Sequence, residues 1–267
     1  MNKLISLLAV AVILVGFNAN VLPAQAATSS LTSLSSGDLI RGSSLPAVYY
    51  YGKDGFRYVF PNDKAYFTWY SDFSSIKTLS DADLGAIQIG GNITYKPGSK
   101  MIKINSDPKT YAVDESGTLR WVTSESVAVA LYGSDWNKKI DDVPDAFFSN
   151  YQKGSDIETT GDAEAFNAQF LGNTTVTIND DKSLQAPIIV TISDSGYDNA
   201  TYTVDAGRAV KFVNAGTEKH GATADDESWG TGTLTSGQSF TRYFKTSGEW
   251  TFHCKYHDTE IGTIVVE

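Results

Sequence analysis

Cys254 is the only cysteine among 267 residues, so no intramolecular disulfide can hold this chain together. The fold has to rest on buried apolar surface. With 41% hydrophobic and 12% aromatic residues, the chain can build one large core or two modest ones. A charged fraction of 19% is too low for a disordered protein. The formal net charge is -10 without basic runs, a poor match for a phosphate backbone, which argues against nucleic acid as a partner.

The first residues indicate where the thiol must survive. Lys3, an apolar run over residues 4–17 broken by Ser6 and Gly16, and then Ala24-Gln25-Ala26 have the anatomy of a secretory signal peptide. The run is shorter than the ~20 residues that span a bilayer. The expectation is a signal peptide over residues 1–26 and an exported mature chain that is periplasmic, cell-surface or extracellular. No cysteine follows the run to carry a lipid. In an oxidising compartment a lone thiol is intermolecular, reactive, or held by something such as a metal, which shields it from oxidation.

Two textures divide the remainder. Residues 49–73 carry eleven aromatic side chains alternating with polar positions, as strands do. Tyr51-Gly52-Lys53-Asp54-Gly55-Phe56-Arg57-Tyr58-Val59 reads as a hairpin, and residues 111–122 read as a second copy about 63 positions later. Ser80 and Ser124 can cap short helices, and Pro144 suits the first position of a helix running from Asp145 to Gly154. This predicts a small α+β domain with hairpin repeats over residues 27–155. Its aromatics fill the core of a small twisted sheet or form a carbohydrate-binding or docking surface. Residues 156–186 are expected as a linker with a short helix over residues 163–171. From residue 187 onward, alternating segments such as Ile188-Val190-Ile192, Tyr202-Val204 and Ile264-Val266 recur at roughly ten-residue spacing, which argues for a β-sandwich or barrel.

The donors gather in this last segment. His220, Cys254 and His257 include two of the chain's three histidines, and Cys-x-x-His places one beside the thiol. One thiolate with two imidazoles suits copper and also zinc, although structural zinc sites generally take four Cys or His ligands. His253 precedes Cys254 on a strand, so its side chain is expected on the opposite face.

Residues 188–267 resemble the cupredoxins, in particular the plastocyanin-like and amicyanin-like blue copper domains. The resemblance is carried by Thr203-Val204-Asp205-Ala206-Gly207-Arg208-Ala209-Val210-Lys211-Phe212-Val213-Asn214, by His220, by Gly248-Glu249-Trp250-Thr251-Phe252-His253-Cys254-Lys255-Tyr256-His257 and by Gly262-Thr263-Ile264-Val265-Val266. It implies a Greek-key β-sandwich over residues 187–267 holding one mononuclear copper through His220, Cys254 and His257. It also implies that single electrons pass to and from redox partner proteins, rather than catalysis.

The chain departs from that family at two places. An axial methionine is absent, since the only methionines are Met1 and Met101. Glu260, three residues after His257, stands at the amicyanin-like axial position and either binds copper through a carboxylate oxygen or faces water. Gly221 follows His220, where relatives often carry a bridging Asn. Alternatives at this stage are copper storage or delivery in the cell envelope, and a surface-binding protein with an appended cupredoxin domain.

Overall fold

The computed structural model describes residues 29–170 and 176–267. The expected signal peptide and Leu171, at the expected end of a helix, lie outside the described residues. Among those residues no helix is long and apolar enough to cross a membrane.

The recurring hairpin belongs to a larger repeated unit. In the first copy, β1 (Leu39–Gly42), β2 (Val48–Tyr51) and β3 (Arg57–Val59) run antiparallel, followed by α1 (Asp63–Trp69), β4 (Lys77–Leu79), α2 (Asp81–Ala86) and β5 (Ile89–Asn92). β4 returns parallel to β1 and β5 parallel to β3, giving the order β4-β1-β2-β3-β5. The second copy places β6 (Met101–Ile104), β7 (Asp107–Asp114), β8 (Thr118–Trp121), α3 (Glu125–Tyr132), β9 (Ile140–Asp142), α4 (Asp145–Phe148) and β10 (Gln152–Lys153) in the matching order β10-β8-β7-β6-β9. It has the same two parallel closures. Asn62 and Ser124, at equivalent positions, cap α1 and α3 by accepting from Ala65 N and Val127 N.

The structure corrects one expected helix. The helix from Asp145 stops at Phe148 instead of reaching Gly154, because the chain turns into β10 and Gly154 N donates to Leu119 O of the neighbouring strand region. Pro144 is the N-cap, not the first helical residue. Of the segment expected as a linker, the described residues 156–170 and 176–186 include packed helices. α5 (Thr160–Phe170) contributes Ala163 and Phe166 to the cluster containing Val127 and Ala128, and Asn167 Nδ2 donates to the Ala130 and Leu131 carbonyls. α6 (Ile178–Asp181) then touches both hairpin turns. Lys53 N donates to Asn179 Oδ1, and Ser116 N donates to Asp181 Oδ1, each at 2.8 Å.

The remaining strands are β11 (Ile188–Ser193), β12 (Gly196–Tyr197), β13 (Thr201–Val204), β14 (Ala209–Asn214), β15 (Thr223–Ala224), β16 (Ser239–Tyr243), β17 (Gly248–Cys254) and β18 (His257–Val266). They form two four-stranded sheets, β12-β11-β14-β16 and β13-β18-β17-β15. Val190, Ile192, Phe212, Phe252 and Ile264 are fully buried between them. Phe252 meets Phe212 edge-on at 5.6 Å between centroids. β12 and β15 have two residues each, too short to leave a periodic signal.

One side of this sandwich adjoins the first repeat. Phe56 stacks on Tyr243 at 4.5 Å. The buried carboxylate of Asp54 accepts from Tyr58 OH at 2.5 Å, from Tyr243 OH and from Phe56 N. The aromatic-rich segment divides: Tyr50, Tyr58, Phe60 and Tyr66 are buried, whereas Phe67 and Phe73 are exposed.

Candidate metal centre

Three of the candidate residues sit on one hairpin. Cys254 ends β17, and a tight turn through Lys255 and Tyr256 returns the chain to His257. Cys254 pairs with His257, but His253 pairs with Ile261, so Asp258, Thr259 and Glu260 form a bulge on β18. From the end of the bulge onward, Glu260, Gly262, Ile264 and Val266 are buried in alternation, which turns Glu260 inward with the core-facing residues. Gly262 makes room for the site's floor, because a Cβ there would lie 2.4 Å from the Phe252 ring.

His220 arrives from the loop after β14. Buried Asn214 organises that loop: its amide nitrogen donates to the Glu218 and Leu234 carbonyls at 2.8 Å each, and its oxygen accepts from Gly216 N. The backbones of His220 and Leu234 bond reciprocally at 3.1 and 2.8 Å. Asp194 accepts from Glu218 N, Thr217 N and Thr217 Oγ1, and these donors hold its carboxyl well below the usual carboxylate range. Gly216 is required there, since its Cβ would fall 2.1 Å from Asp194 Oδ1.

These two segments bring His220, Cys254, His257 and Glu260 together, with one potential ligand atom from each and all within 4.8 Å of one another. His220 Nδ1 lies 3.1 Å from Glu260 Oε2, and His257 Nδ1 lies 3.3 Å from Glu260 Oε1 and 3.7 Å from Cys254 Sγ. The two rings are 4.7 Å apart. His220, Cys254 and Glu260 are buried, while His257 is half-buried with its ring at the rim. Burial pushes the Cys254 thiol up, opposed by hydrogen bonds from the Tyr256 and Gly221 backbones.

The outer nitrogens also face carboxylates. His220 Nε2 is 3.4 Å from Asp194 Oδ1, and His257 Nε2 is 2.9 Å from Glu218 Oε2. A neutral imidazole carries one N–H and one lone pair. Each ring therefore meets a carboxylate at both nitrogens with one proton to give. With that proton at Nε2, both Nδ1 lone pairs and the sulfur converge on Glu260, and among the described residues no Lys or Arg lies within ion-pair distance of it. Buried acceptors facing acceptors are costly, and a cation among them removes the conflict. The donor set fits a borderline-soft divalent or monovalent metal.

His253 points away from this cluster, is 40% exposed on its side chain, and bonds Asp225 Oδ1 at 2.7 Å through Nδ1. Gly221 has no space for a bridging side chain, because its Cβ would lie 2.5 Å from the Gly232 carbonyl oxygen. Tyr197 OH, which donates to Gly221 O at 2.6 Å, ties that loop down instead. Asp194 and Glu218 were not among the residues expected from the sequence. Glu218 stands two positions before His220, but Asp194 reaches the site only through the pairing of loops.

A scan against protein-family models and a search of curated proteins found no match. Among solved structures, 30% of the chain is similar to 82% of a Cu(I) form of an amicyanin variant, at 23% identity and a TM-score of 0.29. The same share is similar to 99% of a purple cupredoxin from Nitrosopumilus maritimus, at 17% identity and a TM-score of 0.29.

Proposed function

We propose that His220, Cys254, His257 and Glu260 hold one copper ion and that the protein carries single electrons between redox partners. The observation that carries this reading is the convergence of two imidazole nitrogens, a sulfur and a buried carboxylate, with no Lys or Arg among the described residues within ion-pair distance of that carboxylate. A copper ion bound there supplies a one-electron Cu(II)/Cu(I) couple. The chain's own residues supply the rest. Cys254 gives a soft donor deep in the site, and His257 extends from the cluster to the surface as a short path for the electron. The sandwich behind Phe252 holds the donors nearly fixed, which keeps rearrangement between oxidation states small. A carboxylate in place of a thioether is a harder donor that favours Cu(II). The chain is read as exported, with its repeat-bearing half available for contact with the cell envelope, carbohydrate or a partner protein.

The test is copper reconstitution of the mature chain with a visible absorption spectrum. An intense thiolate-to-copper charge-transfer band is expected in the wild type and not in Cys254→Ser. No copper uptake, or a band that survives Cys254→Ser, defeats the assignment. Carriage is separated from storage or delivery by reduction in the presence of a chelator: a carrier keeps its copper and reoxidises, whereas a delivery protein surrenders it.

A further inference from the structure

The loop between β14 and β15 and the turn after β11 bring a second layer of acid groups to the cluster. Glu218 Oε2 lies 2.9 Å from His257 Nε2, and Asp194 Oδ1 lies 3.4 Å from His220 Nε2. The two acids are physically linked, because Asp194 accepts from Glu218 N at 3.0 Å and from both the N and Oγ1 of Thr217 at 2.8 Å. One short loop thus fixes the outer edge of both rings.

We propose that Glu218 and Asp194 are positioning residues for the metal site, accepting the Nε2 protons of His257 and His220 so that both Nδ1 lone pairs point at the ion. This rests on the copper reading above. A histidine ligand whose other ring nitrogen donates to a carboxylate is held in one tautomer and one orientation and becomes a stronger donor. A stronger, more negative ligand set favours the higher-charged ion, so the pair tilts the site toward Cu(II). Glu218 is the cleaner probe because its side chain is 59% exposed and its removal leaves the core intact, whereas Asp194 also braces the loop.

The experiment has a metal-free arm and a copper arm. In nitrogen-15 NMR of the metal-free chain, His220 and His257 are expected as Nε2–H tautomers, and Glu218→Ala should disturb His257 alone. In the copper arm, Glu218→Ala should weaken Cu(II) binding by about 10- to 100-fold, as loss of an outer partner typically does. Cu(I) binding should weaken less. Each tenfold difference between the two oxidation states raises the one-electron potential by about 59 mV. Glu218→Gln, whose amide oxygen accepts the same proton, should recover much of the loss, and Asp194→Asn should act on His220 in the same direction. Cu(II) affinity and potential unchanged in Glu218→Ala overturn the proposal. Equal weakening of both oxidation states with a lowered metal-free melting temperature also overturns it, because that marks a merely structural loop residue. A wild type with Nε2–H tautomers but no copper uptake defeats the copper reading, whereas a wild type that binds copper with Nδ1–H tautomers defeats only the positioning role.

Discussion

Asp54 and Glu260 are both buried carboxylates, and their surroundings differ in kind. Asp54, at the meeting of the first repeat and the sandwich, is 1% exposed and accepts from two phenol hydroxyls and a backbone N–H. Each of those donors has a proton to give, so the acid is satisfied by the protein alone. Glu260 is 8% exposed and faces two ring nitrogens and a thiol, with another carboxylate at the far side of each ring. A buried acid surrounded by donors is a structural joint. One set among two imidazoles and a thiol, with no Lys or Arg near it among the described residues, has the surroundings a cation site needs.

The sharpest way to break this comparison is to remove each acid with and without copper. Asp54→Ala should lower unfolding stability by on the order of 3 kcal/mol, since it strands a backbone N–H and leaves the buried Tyr58 hydroxyl and the half-buried Tyr243 hydroxyl only each other. Urea denaturation should show the same loss whether or not Cu(II) is present. Glu260→Gln should behave oppositely. Without metal it removes an acceptor from a crowd of acceptors and should leave stability unchanged or raise it by about 1 kcal/mol. With Cu(II) at about 100 times the wild-type dissociation constant, the wild type should gain at most about 2.7 kcal/mol, and the variant clearly less. If metal-free Glu260→Gln loses as much as Asp54→Ala, Glu260 is a structural acid and the distinction collapses.

A third buried acid sharpens the scale. Asp181 on α6 accepts one backbone N–H, from Ser116, and burial pushes its carboxyl up to about 6 from 3.8, with Glu115 and Asp114 adding to the rise. Between those two values the native state binds more protons than the unfolded chain, so stability falls as pH rises from about 4 to 6. Asp181→Asn keeps an oxygen for Ser116 N and should flatten that fall. It should be more stable than wild type at pH 7.5 by on the order of 1–3 kcal/mol and no different near pH 3.5 in denaturation curves. An unchanged pH profile would show that one donor suffices for a buried acid.

The smallest effect belongs to His253, next to Cys254 in sequence but outside the cluster. His253→Ala removes an exposed pair with Asp225 and should cost less than about 1 kcal/mol. The copper band should be untouched. A lost band would mean that the two faces of β17 are not independent.

How far the sequence reached depends on the kind of signal each element leaves. His220, Cys254 and His257 stood out because histidine is scarce here and two of three flank one thiol. Strands such as Ile188–Ser193 and Ala209–Asn214 announced themselves by alternation. The hairpin repeat was visible through Arg57-Tyr58-Val59 and Arg120-Trp121-Val122, yet the parallel returns of β4, β5, β9 and β10 were not, because strands of two to four residues carry no period. Glu260 could not be oriented from its distance to His257, since the intervening bulge breaks the count. Reading backward from Val266 through Ile264 and Gly262 restores it. Asp194 escaped because its role depends on a contact between loops far apart in sequence.

The bulged hairpin has a consequence for folding. Cys254, His257 and Glu260 lie within a seven-residue window, whereas His220 must be brought in from 34 positions before the thiol. Three donors so close together remain neighbours even when the rest of the chain is unfolded, and an unfolded chain that keeps a foothold on copper competes with the native one for it. If the site holds copper as proposed, the metal can be captured early by this short hairpin, and the closing of the sandwich adds the fourth donor. The melting shift on loading will accordingly understate how tightly the finished site holds its metal, because only the difference between the two states registers as stability.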